Sequence, residues 1–598
     1  MKRALVKYLY KRLSACAVLA IVHFVPQATI GELPAYRQLT PMVSIHATSL
    51  SEAATLINDG LAGAGMDIKF GDSVKSLADA CFLPSFSGVD LKRPVRYFLL
   101  SMDPPSAMPE QAVILPLQPG GAPALLRSLR ERYASVEGGS IKICSDPTDG
   151  KSVEPLYVAI AEGNAMLSPN VDAIRWMAYN LQSRTVPDPP DFRRTPLSAS
   201  VDTRLLGILL ELVSSLNEEG GVDAASDTDI FRGIRETGVF ISAFQRLEVA
   251  IDASISQWDV SFRLVGAPGS QIAEAIAALK PPDDTWMGLF PTFACNRSAS
   301  CLPGFVAALP ASNRKWLADL ANNTRIVGHV LFPSAFDLDE KIRPYLTGTA
   351  LSTFVTDKPG DKFGSVTVLA VKSPEDALKV MRGYFSPKGA ASSNRHIESI
   401  VPAGKKGTIS YDTVTYRDMQ QKTGIERTGE AVSFVLNLNH VQLALSGNRL
   451  FIARGASGLI EPWLDEKQSD PWDEKISSLT AVFPNQPGET VLGGGSIDPV
   501  TLARRIVTAI PDLSPHLKKM PHAGSGFAWR MARKGGEARF DIRLYSNEII
   551  ACNMLREVNS ETMQQLLSQF VLRHFQNTAV GEAERERLRE KLNVLRDK

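Results

Sequence analysis

Hydrophobic and polar residues alternate strictly in two stretches of the chain. Val249, Ile251, Ala253 and Ile255 point one way, and Val260, Phe262 and Leu264 repeat the pattern on a return strand. Much later, Phe527, Trp529 and Met531 are followed by Phe540, Ile542 and Leu544 across Arg533-Lys534-Gly535-Gly536. A period of two is that of a strand with one face buried and the other solvated, so both stretches predict antiparallel hairpins.

The rest of the chain pairs off in the same order, at an offset of roughly 250–300 residues. Arg96–Ser101 and Ala350–Val355 read as short strands, each followed by a turn with proline. Ala112–Leu117 and Ser365–Val371 are Val-, Ile- and Leu-rich, as buried strands are. Each leads into a helix. Ser373-Pro374-Glu375-Asp376 is a strong helix start, with an N-cap serine, proline in the first turn and acids at the positive end of the dipole. Ala377, Val380, Met381 and Tyr384 form its stripe; Ala124, Leu125, Leu129 and Tyr133 are the counterpart. Leu156–Ser168 and Val441–Ile452 each read as strand, Gly-Asn turn, strand, matching Gly163-Asn164 with Gly447-Asn448. A single tryptophan follows each, Trp176 or Trp463. Ser200-Val201-Asp202 and Ser496-Ile497-Asp498 then end strands, with Asp202 and Asp498 placed to cap helices over 205–216 and 502–513.

These pairs predict an α+β fold of two similar lobes, 32–285 and 286–578, arising from internal duplication. Each lobe is expected to be an antiparallel sheet with helices packed on one face. Residues 579–598 form a charged C-terminal helix or tail, with Leu588, Leu592 and Leu595 at helical spacing.

The N-terminus changes the picture of destination. Lys2, Arg3, Lys7, Lys11 and Arg12 precede an apolar run from Ser14 to Val25. A basic flank, a short apolar core and small residues near Gly31 predict a signal peptide or N-terminal anchor over residues 1–31. The run is shorter than the roughly 20 residues of a comfortable membrane span. Leu13-Ser14-Ala15-Cys16 has lipobox composition but precedes the apolar core, where a lipobox would close it. The expected location is therefore the periplasm or cell envelope, with membrane contact only through an uncleaved N-terminus.

Charge excludes one class of partner. Among 598 residues, 65 are Lys or Arg and 64 are Asp or Glu, so no basic excess points to nucleic acid. Five cysteines follow the signal: Cys81, Cys144, Cys295, Cys301 and Cys552. Export permits disulfides. Cys295 and Cys301 are the candidate pair, flanking a polar stretch (296–300) read as a loop.

Motifs for chemistry are sparse. Gly150-Lys151-Ser152 ends like a phosphate loop, but Ser145 stands where the first glycine belongs. Gly404-Lys405-Lys406-Gly407 reads as a basic turn. Gly493, Gly494 and Gly495 form the one glycine cluster, read at a strand end and a candidate for close ligand approach. The seven histidines beyond residue 31 (His46, His329, His396, His440, His516, His522 and His574) show no metal-ligand spacing. The acidic stretch Glu218, Glu219, Asp223, Asp227 and Asp229 lacks the calcium-loop register. No G-x-S-x-G elbow is present. No catalytic residue, metal ligand or cofactor is assigned.

The strand, Gly-x turn, strand and helix pattern of Leu156–Ser168 and Val441–Ile452, with Ser200-Val201-Asp202 and Ser496-Ile497-Asp498, resembles families of exported bacterial proteins whose function is not known. The resemblance implies an envelope location and a two-lobed α+β fold, and carries no catalytic residue. The expected function is non-catalytic binding of a protein partner or an apolar ligand. The alternative is a hydrolase whose carboxylates converge only in three dimensions.

Overall fold

The computed structural model describes residues 39–63, 70–102, 109–133, 135–145, 155–185, 195–208, 244–281, 294–300, 342–356, 363–384, 396–406, 408–417, 440–455, 459–464, 486–498 and 527–551, with positions 483, 500, 504, 518 and 520–522. The N-terminal 1–31 segment, the tail 579–598, the acidic stretch 218–229, Gly150-Lys151-Ser152, His329, His516, His574, Cys301 and Cys552 lie outside them.

In chain order the elements begin β1 (Leu39–Ala47), α1 (Leu50–Gly63), α2 (Phe70–Ala80), β2 (Val95–Met102), β3 (Glu110–Pro116) and α3 (Ala122–Arg132). Then come β4 (Ser135–Glu137), β5 (Ile141–Ser145), β6 (Leu156–Ala161), β7 (Asn164–Ser168), α4 (Val171–Ser183), β8 (Leu197–Asp202), β9 (Phe244–Ala253), β10 (Gln257–Gly266) and α5 (Gln271–Ala278). The second series runs β11 (Ala294–Ser300), β12 (Leu346–Thr356), β13 (Phe363–Val371), α6 (Pro374–Tyr384), β14 (His396–Lys406) and β15 (Ile409–Arg417). It closes with β16 (His440–Ser446), β17 (Arg449–Gly455), β18 (Thr490–Ile497), β19 (Phe527–Lys534) and β20 (Glu537–Tyr545).

All these strands join one antiparallel sheet. Its order is β4-β5-β6-β7-β3-β2-β1-β8-β9-β10-β20-β19-β18-β11-β12-β13-β17-β16-β15-β14. Read from either end, the order is the same once ten is added to each strand number. The two series meet at β10 and β20, paired from Gln257↔Tyr545 to Val265↔Glu537. The α+β class and antiparallel pairing agree with the sequence. Two separate sheets were expected, and one continuous sheet is found.

Helices were expected on one face, and they lie on both. α3 sets Leu125 and Leu129 against Val113, Leu115, Val158 and Leu167. α4 sets Ile174, Trp176 and Met177 against the other side, meeting Phe98, Ala112, Ile114 and Met166. Both faces of β3 and β7 are therefore apolar, which is why Ala112–Leu117 reads as a continuous run. In the second series, α6 covers Leu369, Val371 and Leu450. A short 3-10 turn at Glu461–Trp463 belongs to the opposite cluster, with Val366, Val368 and Phe451.

Local signals explain the joints. The Asn170 side chain caps α4 by accepting from the Asp172 N–H at 2.7 Å, and Ser270 caps α5 from Ala273 N–H at 3.2 Å. Asp202 accepts from Leu205 N–H at 3.0 Å, as expected, opening a helix described from 203 to 208. The two hairpin turns are Glu162–Gly163 and Gly447–Asn448, because Ala161 pairs Asn164 and Ser446 pairs Arg449. The sequence match of the Gly-Asn dipeptides is thus off by one residue: Asn164 already belongs to β7. Glu162 and Gly163 both have positive φ, 52° and 70°, as a tight two-residue hairpin turn requires.

Candidate functional site

The junction between the two series is a ladder of hairpin β9–β10 against hairpin β19–β20. Alternation sends Asp259, Ser261 and Arg263 of β10, with Arg539, Asp541 and Arg543 of β20, to one face. Trp258, Val260, Phe262 and Leu264, with Phe540, Ile542 and Leu544, take the other. The sequence predicts that the apolar face is buried and the polar face solvated. At the junction the structure buries the polar face and leaves the apolar face partly exposed, although Leu264, Phe540 and Ile542 also pack against buried Phe244, Ile276, Trp529 and Met531. Ser261 and Asp541 are 0% exposed and Arg530 is 2% exposed, whereas Val260, Phe262, Leu264, Phe540, Ile542 and Leu544 are all partly exposed.

Charge neutralisation makes the reversal feasible. Five arginines meet five carboxylates: Arg246, Arg263, Arg530, Arg539 and Arg543 against Glu248, Asp259, Glu489, Glu537 and Asp541. Asp541 lies at the centre. Its Oδ1 accepts from Ser261 Oγ at 2.6 Å and Arg539 Nε at 2.9 Å, and its Oδ2 from Arg530 Nη2 at 2.8 Å. Glu489 bridges the same arginines, at 3.0 Å to Arg539 and 3.3 Å to Arg530. Arg530 also donates to the Phe483 carbonyl at 2.8 Å. Farther along, Arg543 grips Asp259 with two bonds of 2.6 and 2.8 Å. That hydrogen bonding holds the Arg543 guanidinium above its ordinary value. Glu248 takes Arg263 at 2.6 Å and Arg246 at 2.7 Å. Removing charges from water is costly unless each is paired and hydrogen-bonded, and here they are.

The same pairing limits the chemistry. The oxygens of Asp541, Glu489 and Asp259 already accept hydrogen bonds from arginine or serine, which leaves them poorly placed to reach a substrate. Among the described residues, no group of three or more His, Cys, Asp or Glu side chains could hold a metal ion.

The opposite face is a floor of apolar side chains. One row runs Ala199, Val249, Phe262, Phe540 and Met531; the next runs Leu197, Ile251, Val260, Ile542 and Trp529. Helices close both ends. At one end α1 rests on Trp258, whose Nε1 donates to the Gly60 carbonyl at 3.2 Å. A Cβ at Gly60 would stand 2.5 Å from the Trp258 ring, so glycine lets the helix approach. At the other end Gly266 and Gly536 admit Ala273 of α5. Between them Val260, Phe262, Phe540 and Ile542 form a window. With Leu197 and Ala199 of β8 and Val249 and Ile251 of β9, which continue the same two rows, the apolar strip spans about 14 Å across four strands at about 4.8 Å per step. A partly exposed apolar field of this kind is a common mark of a binding surface.

The candidates from sequence fall variously. Gly493, Gly494 and Gly495 lie inside β18, paired to β11 and β19, and not at a strand end. Gly494 stands opposite Arg530 in the β18–β19 ladder. Cys295 belongs to β11, and its side chain lies outside the described residues. The stretch 296–300, expected as a loop, is strand. Cys301, the other half of the candidate pair, lies outside the described residues. Cys81 and Cys144 are free and buried. His46 lies in β1 and His440 in β16, well separated along the sheet. Arg530, Arg539, Asp541 and Glu489 escape sequence reading. The available signal is the run of charges alternating with Trp529, Met531, Phe540 and Ile542, which the pattern alone assigns to solvent.

Comparison of the chain with protein-family models, curated proteins and solved structures finds no match.

Proposed function

We propose that this chain is a non-catalytic, exported protein of the cell envelope, built from two halves of a duplicated α+β unit, that binds an apolar ligand or protein partner on the apolar face of the β10–β20 junction. The observation that carries the reading is the reversal at that junction. The protein buries Glu248, Asp259, Arg530, Arg539 and Asp541 on one face and leaves Val260, Phe262, Phe540 and Ile542 partly open on the other. Burying the apolar face and wetting the charged one would be the cheaper arrangement for a fold without a ligand. The palindromic strand order supports the duplication, and the basic-then-apolar N-terminus supports export. The hydrolase alternative has less behind it, since the acids of the junction are taken up by arginine.

The test is titration with anilinonaphthalene sulfonate, followed by displacement with a long-chain fatty acid. Saturable binding that is lost in Phe262→Glu and kept in Ile255→Ser is expected, Ile255 being 63% exposed in the β9–β10 turn and away from the window. No saturable binding, or binding indifferent to Phe262→Glu, would refute the reading.

A further inference from the structure

The register of the junction carries information that the strand order alone does not. Hairpin β9–β10 pairs Ala250 with Ser261, and hairpin β19–β20 pairs Arg530 with Asp541. Each residue of the first pair lies 280 positions before its counterpart in the second. Ser261 also faces Asp541 directly across the junction. The local two-fold axis relating the hairpins therefore passes through the Ser261–Asp541 pair. Asp259 faces Arg543, and the first-hairpin counterpart of Arg543 is Arg263.

It follows that β10 of one chain can pair with β10 of another in the geometry it now makes with β20. Ser261 would face Ser261 of the second copy. Asp259 would face the second copy's Arg263, twice: once in the place of the present Asp259–Arg543 bonds of 2.6 and 2.8 Å, and once where Arg263 now faces Arg539. On the apolar face Val260 would meet Phe262 of the second copy, as it now meets Ile542. The β20 edge behaves oppositely. Pairing β20 with itself would set Asp541 against Asp541 and Arg539 against Arg543, and like charges directly opposite are destabilising. One edge is thus self-complementary and the other self-repelling.

We propose that the β10 edge is a strand-pairing surface for a second copy of this chain, occupied by β20 within the closed molecule and forming an antiparallel β10–β10 dimer when the β10–β20 junction is broken. Sheet edges accept extended partners through main-chain hydrogen bonds, and side-chain complementarity selects the partner. Asp259 and Arg263 supply that selection.

The experiment uses the full chain and measures mass by light scattering. Arg543→Asp places an acid against Asp259 and breaks the junction, and the expected result is a doubling from 65.0 kDa. Adding Arg263→Asp sets acid against acid between copies and returns the mass to that of the monomer. The exchange Asp259→Arg with Arg543→Asp restores the internal pair and is also monomeric. A monomeric Arg543→Asp, or a dimer that survives Arg263→Asp, overturns the proposal. Should Arg543→Asp precipitate, Ser261→Cys in an otherwise unchanged chain is oxidised in dilute urea and mapped by peptide mass. A disulfide joining position 261 of one copy to position 261 of the second is expected, and its absence overturns the proposal.

Discussion

Replacing Arg530 with methionine tests the buried charge network most sharply. The guanidinium touches Asp541 Oδ2, Glu489 Oε2 and the Phe483 carbonyl, and is itself 2% exposed. Methionine fills most of the volume but returns none of these bonds. Asp541 keeps Arg539 and Ser261, yet the network then carries one uncompensated negative charge, and the Phe483 carbonyl loses its donor. Breaking a buried ion pair from one side costs about 3–5 kcal/mol. An exposed pair costs about 0.2–1 kcal/mol. The two ranges do not overlap, so the magnitude decides. Urea unfolding followed by circular dichroism, with the denaturant slope checked for constancy, reads the difference. Arg530→Met combined with Asp541→Asn restores neutrality and should recover about 2 kcal/mol of the loss, as residues sharing one network do not add. A cost below about 1 kcal/mol for the single variant, or strict additivity in the double, would refute a dry and neutralised network.

Other expectations follow from the same geometry. Burial pushes the Cys81 thiol up to about 12 and the Cys144 thiol up to about 11, from an ordinary 9.0. The unfolded chain therefore ionises these thiols first. Their contribution to stability is full below about pH 9 and falls as pH rises from there toward about 12. A thiol reagent at about pH 8, just below the ordinary thiol range, should spare both residues in the native protein and label both in urea, and rapid native labelling would contradict their burial. Gly60→Ala drives a methyl group into the Trp258 ring and should cost about 1–3 kcal/mol with a change in tryptophan fluorescence; an unshifted midpoint would show that α1 does not rest there. Asn170→Ala removes the cap of α4 and should cost about 1 kcal/mol in the same urea assay.

Much of the fold is legible where one period dominates. The hairpins at Val249–Leu264 and Phe527–Leu544, the start of α6 at Ser373 and the cap at Asp202 follow from local rules alone. β1 is not legible, because Pro41 and a bulge between Pro41 and Val43 interrupt its alternation. β4 has three residues, too few to show a period. The joining of the two sheets is a non-local event. Nothing within β10 or β20 shows that they pair, although the opposite charges of Asp259 and Arg543 are the available clue. The candidate site is hidden for a related reason. Alternation tells which residues share a face, and it does not tell which face meets water. That is decided by whether charges such as Arg530 and Asp541 find partners, which depends on strands far apart in sequence.

Native mass spectrometry of the protein isolated from its native cells, beside the Phe262→Glu variant, addresses the apolar junction face most directly. The expected spectrum shows the unaltered protein carrying an apolar molecule or a constant partner at a fixed mass increment, and the variant bare. A bare protein in both samples, or the same increment on both, would contradict binding at this face.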